Sequence, residues 1–88
     1  MPVAIVLINV RAQETARVAE ELAGIDGVAE VYSVAGDYDL TAIVRVRNND
    51  ELAEVISKKI RGVADVVSTK TLIAFRAYSK NASSLDVD

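Results

Sequence analysis

The chain contains no cysteine and no histidine among its 88 residues. Disulfides, thiolate metal sites, Ser-His triads and imidazole acid-base chemistry are therefore excluded. An enzyme made from this chain would have to work with Asp, Glu, Lys, Tyr, Ser or Thr, and no spacing assembles a nucleophile, its base and an oxyanion site. No cofactor is called for. Ten Lys and Arg residues, scattered rather than clustered, face thirteen Asp and Glu for a net charge of −3, which argues against direct DNA binding. The apolar run at residues 3–8 is too short to span a bilayer and lacks a charged leader or a small-residue cleavage site, so it reads as a strand of a cytoplasmic protein. Without a secretory signal, the Asn81-Ala82-Ser83 sequon is a chance match.

What the chain does have is apolar surface. Eighty-eight residues bound one small domain with a limited core, yet 51% of them are hydrophobic. Other copies of the chain are expected to cover part of that surface.

An internal repeat sets the architecture. Ile25-Asp26-Gly27-Val28-Ala29-Glu30-Val31-Tyr32-Ser33 returns as Ile60-Arg61-Gly62-Val63-Ala64-Asp65-Val66-Val67-Ser68, with six of the nine positions identical. Two copies are too few for a solenoid, so the chain reads as a duplicated β-α-β module. Residues 3–10 suit a central strand covered on both faces. A helix follows at about 14–23, stopped by Gly24 and Gly27. Asn48, Asn49 and Asp50 offer cap oxygens to a second helix whose buried stripe is Leu52, Val55, Ile56 and Ile60. The last strand runs through about 66–75.

With right-handed crossovers, β-α-β-β-α-β folds as an α+β ferredoxin-like domain, a four-stranded antiparallel sheet with both helices on one face. In the third strand Leu40, Ala42, Val44 and Val46 share one face, and Thr41, Ile43, Arg45 and Arg47 the other. In the last strand Thr69, Thr71, Ile73 and Phe75 oppose Lys70, Leu72, Ala74 and Arg76. Neither face of either strand is fully polar, so a dimer joined face to face or edge to edge is expected. The domain is expected over residues 1–78. Residues 79–88 lose periodicity and form a mobile tail or a clasp on a neighbouring subunit.

The chemistry-bearing residues gather at the turn between the halves. Gly36 supplies a positive backbone dihedral for a tight turn, beside Asp37 and Asp39. Asp is common in turns for local hydrogen bonding alone. The sharper reading has one carboxylate receive an ammonium group while backbone amides near Gly36 receive a carboxylate, the two ends of an amino acid. Thr69 and Thr71 offer hydroxyls or serve as good strand formers. Tyr32 and Tyr38 wall a pocket or pack at an interface. Arg45 and Arg47 pair with acids, bind an anion or stand in solvent.

The apolar first strand, Gly27-Val28, Gly36-Asp37-Tyr38-Asp39-Leu40 and Thr69-Lys70-Thr71-Leu72-Ile73-Ala74 together resemble the effector-binding (RAM) domains of the Lrp/AsnC regulators, from Val3 to Phe75. The resemblance implies a dimeric α/β-barrel arrangement in which sheets pair and dimers assemble into rings such as octamers or decamers. An amino acid or related small effector would bind where dimers meet. Carried over by position, Gly36, Asp37, Tyr38 and Asp39 match the effector loop, with Asp39 as much scaffold as contact. Thr69 and Thr71 match the polar positions of the last strand.

Full-length members also carry a helix-turn-helix domain, which is not expected here because the first strand starts at Val3. The expected role is thus a ligand-sensing regulatory module able to join full-length relatives in mixed oligomers. A purely structural assembly partner, a dimeric α/β-barrel enzyme and an ACT-type amino-acid-binding domain are the alternatives.

Overall fold

The computed structural model describes residues 1–80 in full and 82–86 as backbone. The body follows the order β1 (Val3–Val10), α1 (Thr15–Ala23), β2 (Val28–Ser33), β3 (Leu40–Arg45), α2 (Asn49–Glu54) and β4 (Val66–Ala74). The strands form one antiparallel sheet in the order β2-β3-β1-β4. This is the ferredoxin-like fold expected from the duplicated module.

Alternation along the strands decides which face the helices cover. Ala4, Val6, Ile8 and Val10 of β1 are buried together with Leu40, Ala42 and Val44 of β3. Val18 and Leu22 of α1, four residues apart on one helix face, join them in a single core. Leu52, Val55 and Ile60 complete that core from the second helix. Asn48 caps this helix as its sequence suggested, its side chain accepting from the Glu51 N–H at 2.8 Å. Beyond Glu54 the helix widens into a π-helical stretch, Val55–Ile60. Among the described residues no helix is long and apolar enough to cross a membrane.

The other face of β1, carrying Val3, Ile5, Leu7 and Asn9, is only partly shielded. Register puts Thr41, Ile43 and Arg45 of β3 and Lys70, Leu72 and Ala74 of β4 beside them. In one copy of the chain, then, β1 is central but helices cover one of its faces.

The two repeats start alike and then part. Val28 N–H donates to Ile25 O at 3.0 Å, and Val63 N–H donates to Ile60 O at 3.2 Å. In the first copy the left-handed residue is Gly27 (φ 98°), after which β2 begins at once. In the second it is Asp65 (φ 73°), three residues beyond Gly62, and β4 begins only at Val66. Gly27 is also held by packing, because a Cβ there would lie 2.9 Å from Val55 Cγ2 and 3.0 Å from Val46 Cγ1.

Past Phe75 the chain forms β5 (Arg76–Ser79) and β6 (Ala82–Asp86), paired with each other in a separate two-stranded sheet. The tail expected over residues 79–88 therefore contributes to this hairpin in its described part. Its other positions, 81, 87 and 88, lie outside the described residues.

Candidate functional site

The connection between β2 and β3 is six residues long, from Val34 to Asp39, and not the tight Gly-Asp turn that the sequence suggested. Gly36 has the expected positive φ, 129°, and sits at an open tip where an added Cβ would meet nothing within 4 Å. The reason for the wider loop is Asp39. Its carbonyl accepts from Val34 N–H at 3.0 Å, and its own N–H donates to Ile8 O at 3.0 Å. Its carboxylate Oδ2 accepts from Val10 N–H at 2.9 Å. Three bonds thus fix Asp39 to Val34, just past β2, and to the end of β1, so the loop closes one residue before β3.

The consequence for ligand chemistry differs along the loop. One oxygen of Asp39 is committed to the backbone, while Oδ1 makes no hydrogen bond among the described residues. Asp37 is exposed and makes no hydrogen bond or ion pair among them either. Gly36 is exposed and Tyr38 half-buried. A rigid base with a free carboxylate at its tip suits an ammonium group better than a floppy turn would.

Thr69 lies opposite Ile8, which in turn lies opposite Leu40, so Thr69 and the loop sit at the same end of the sheet. Two strand spacings separate them, about 10 Å. Thr71, opposite Val6, is one step further from that end. Both threonines are on the helix-covered face and half-buried. The loop and Thr69 therefore share one end of the sheet, about two strand spacings apart.

A polar clamp at this same end had no trace in the spacing of the sequence. Arg11 N–H donates to Asp65 O at 2.9 Å, while Arg11 Nε reaches Asp65 Oδ1 at 3.1 Å. Arg17 Nη2 donates to Asp65 Oδ2 at 2.6 Å and to Ala64 O at 3.1 Å, and its Nε donates to Glu14 at 2.8 Å. Consecutive amides at the exit of β1, Val10 and Arg11, are thus held by Asp39 on one side and Asp65 on the other. These partners lie dozens of residues apart in the chain, beyond any local pattern.

The remaining candidates separate. Tyr32 stands on the face without helices, its hydroxyl donating to Glu30 Oε2 at 2.6 Å, which raises its pKa above the ordinary tyrosine value. Arg45 shares that face and approaches Glu30 at 3.8 Å. Arg47 does not project beside it, because β3 ends at Arg45. Its guanidinium instead bonds Glu51 at 2.7 and 3.0 Å, and this bond holds the Glu51 carboxyl below the usual glutamate range. A cleft of about 470 Å³ opens here, lined by Gly27, Arg45, Val46, Arg47, Val55 and Lys59 among others. It lies at the opposite end of the sheet from residues 36–39, and the Arg47–Glu51 pair already neutralises part of its rim.

A family model described as the Lrp/AsnC ligand binding domain matches residues 3–84. The crystal structure of TTHA0845 from Thermus thermophilus is 44% identical, with a TM-score of 0.84 over 91% of this chain and all of that one. The HTH-type transcriptional regulator FL11 of Pyrococcus abyssi is 32% identical over 77 residues, 88% of this chain and 50% of its own length. The feast or famine regulatory protein of M. tuberculosis, solved in complex with L-methionine, is 26% identical with a TM-score of 0.74. That match covers 93% of this chain and 56% of the other. The chain spans about half the length, or less, of the curated regulators it matches.

Proposed function

Because the chain belongs to the Lrp/AsnC ligand-binding domain family, we propose that it is a non-catalytic sensor holding an amino acid or related small effector at the 36–39 loop. The observation that carries this reading is the loop itself. Asp39 is pinned to β1 while Gly36 and Asp37 stand open at its tip. In this reading Asp37 and the free oxygen of Asp39 take the ammonium group, and amides near Gly36 take the carboxylate. Thr69 and Thr71 contribute from β4, two strand spacings away in the sheet. The L-methionine complex of the M. tuberculosis relative supports the ligand class.

The loop is an open surface in one copy, so a second copy supplies the opposite wall. The sheet face without helices, with Val3, Ile5, Leu7, Ile43 and Leu72 at its centre, is the surface on which two copies pair. Similarity to longer regulators supports a further role, joining them in mixed oligomers whose assembly the effector biases. Native mass spectrometry across an amino-acid panel tests the sensing role. A bound ligand, with a shift in oligomer mass, is expected for at least one member, and Asp37→Asn should weaken it. A panel that leaves both mass and thermal stability unchanged would refute it.

A further inference from the structure

The end of β1 is tied from both edges. Val10 N–H donates to Asp39 Oδ2 at 2.9 Å, whereas the next amide, Arg11 N–H, turns to the β4 edge and donates to Asp65 O at 2.9 Å. The backbone around this contact is irregular. Among the described residues, the non-glycine positions with a positive φ are Gln13 (72°) and Asp65 (73°). Gln13 lies in the turn closed by Glu14 N–H on Arg11 O at 3.1 Å, so both positions flank Arg11. The β1–β4 register also shifts here, from Asn9 opposite Ser68 to Val10 opposite Val66, which leaves Val67 as the extra residue of a bulge. Such strain persists only where the surroundings hold it, and it gathers at functional sites.

A comparison within the chain shows what Asp65 adds. At the other end of the sheet Gly27, also at a positive φ, accepts from Arg45 N–H at 2.8 Å. Asp65 makes the same kind of closure at a backbone conformation that glycine adopts without strain. Its carboxylate is the difference. Oδ1 accepts from Arg11 Nε at 3.1 Å and Oδ2 from Arg17 Nη2 at 2.6 Å, and the side chain is only 28% exposed. Arg17 also donates to Ala64 O at 3.1 Å, while Glu14 and Glu21, one turn before and after it, orient its guanidinium. α1 is thereby joined to the start of β4 at the end of β1.

We propose that Asp65 and Arg17 are positioning residues for the 36–39 loop. They hold Arg11 from the β4 edge, which fixes the neighbouring Val10 N–H where the Asp39 carboxylate accepts it. The free oxygen of Asp39 and the open tip at Gly36 and Asp37 are then set by side chains on the opposite edge of the strand. The consequence for binding rests on the effector reading given above, whereas the clamp itself does not.

Amide exchange on the full, ligand-free chain tests the clamp. Arg17→Gln and Asp65→Asn, the latter keeping a residue type that tolerates positive φ, should each speed exchange at Val10 and Asp39 by about threefold to tenfold, as coupling within one hydrogen-bond network does. Val6, in the middle of β1, should be unchanged. Glu21→Gln, which removes a helix partner of Arg17 but no bond to Asp65, should leave all three as they are. Titration with L-methionine, or with another amino acid of the panel where that one binds better, follows the consequence. The dissociation constant should rise by about threefold or more in Arg17→Gln, and by much less in an Asp39→Asn background, because both changes act on one anchor. Faster exchange at Arg11 alone, equal acceleration at Val6, or an affinity that ignores Arg17→Gln would overturn the positioning role. A chain that binds no amino acid of the panel refutes the effector reading instead, and exchange at Val10 and Asp39 still decides the clamp.

Discussion

Removing the Asp39 side chain separates its work in the loop from any contact with a ligand. In Asp39→Ala the Val10 N–H loses its acceptor, a carboxylate oxygen at 2.9 Å in a partly buried setting. A hydrogen bond to a charged group contributes about 1.5–3 kcal/mol, and an orphaned amide costs most when water cannot reach it. Partial burial places the expected loss near 2 kcal/mol, or about 8–16 °C in Tm for a domain of this size. Asp39→Asn keeps an oxygen for Val10 but without the charge, and charged bonds are roughly twice as strong, so about 1 kcal/mol should be lost. Asp37→Asn, at an exposed position without partners among the described residues, should stay within about 0.5 kcal/mol. Thermal and urea unfolding at one fixed protein concentration would rank the three, because self-association adds its own stability. Amide exchange should locate the damage at Val10. Equal losses for Asp39→Ala and Asp37→Asn, or for Asp39→Ala and Asp39→Asn, would refute the assignment of Asp39 as the acceptor that fixes the loop.

Gly27→Ala adds a Cβ within 3.0 Å of two core valines at a positive φ, so strain and overpacking together should cost about 2–4 kcal/mol in urea unfolding. A loss no larger than that of Gly36→Ala, whose Cβ would meet nothing, would contradict this. Glu51, held low by Arg47, contributes stability at neutral pH that fades as pH falls below the ordinary glutamate pKa. In Arg47→Gln an NMR titration should find the carboxyl nearer its ordinary value and that acid sensitivity reduced. Tyr32, raised by its bond to Glu30, favours the fold below the ordinary tyrosine pKa, a contribution lost as pH climbs through the raised value. Glu30→Gln should move the phenolate absorbance transition to lower pH.

The repeat and the strand alternation made the ferredoxin-like fold, both helices and much of the core legible in the sequence. Asn48 as a helix cap and the two faces of β3 are examples, because each depends on residues within a few positions of one another. Gly36 was legible for the same reason. What stayed hidden depended on distance along the chain. The loop is wider than a tight turn because Asp39 is drawn to Ile8 and Val10, about 30 residues earlier in the sequence. Asp65 matched Glu30 in the repeat, yet the second copy places it at a positive φ, where its carboxylate can meet Arg11 and Arg17. Arg47 continues the alternation of β3 in the sequence, but the strand ends two residues earlier and Arg47 meets Glu51 of the next helix instead.

The place of β1 between β3 and β4 also constrains the order in which the chain can fold. Its register sets Val3 opposite Ala74 and Val10 opposite Val66, whereas β2 meets β3 across a six-residue loop. Non-local pairing bears the larger loop-closure cost and comes late. A β1-β2-β3 sheet formed ahead of β4 docking would leave one side of β1 as an open edge. That state, more than the finished fold, is where this chain is most exposed to pairing with the wrong neighbour.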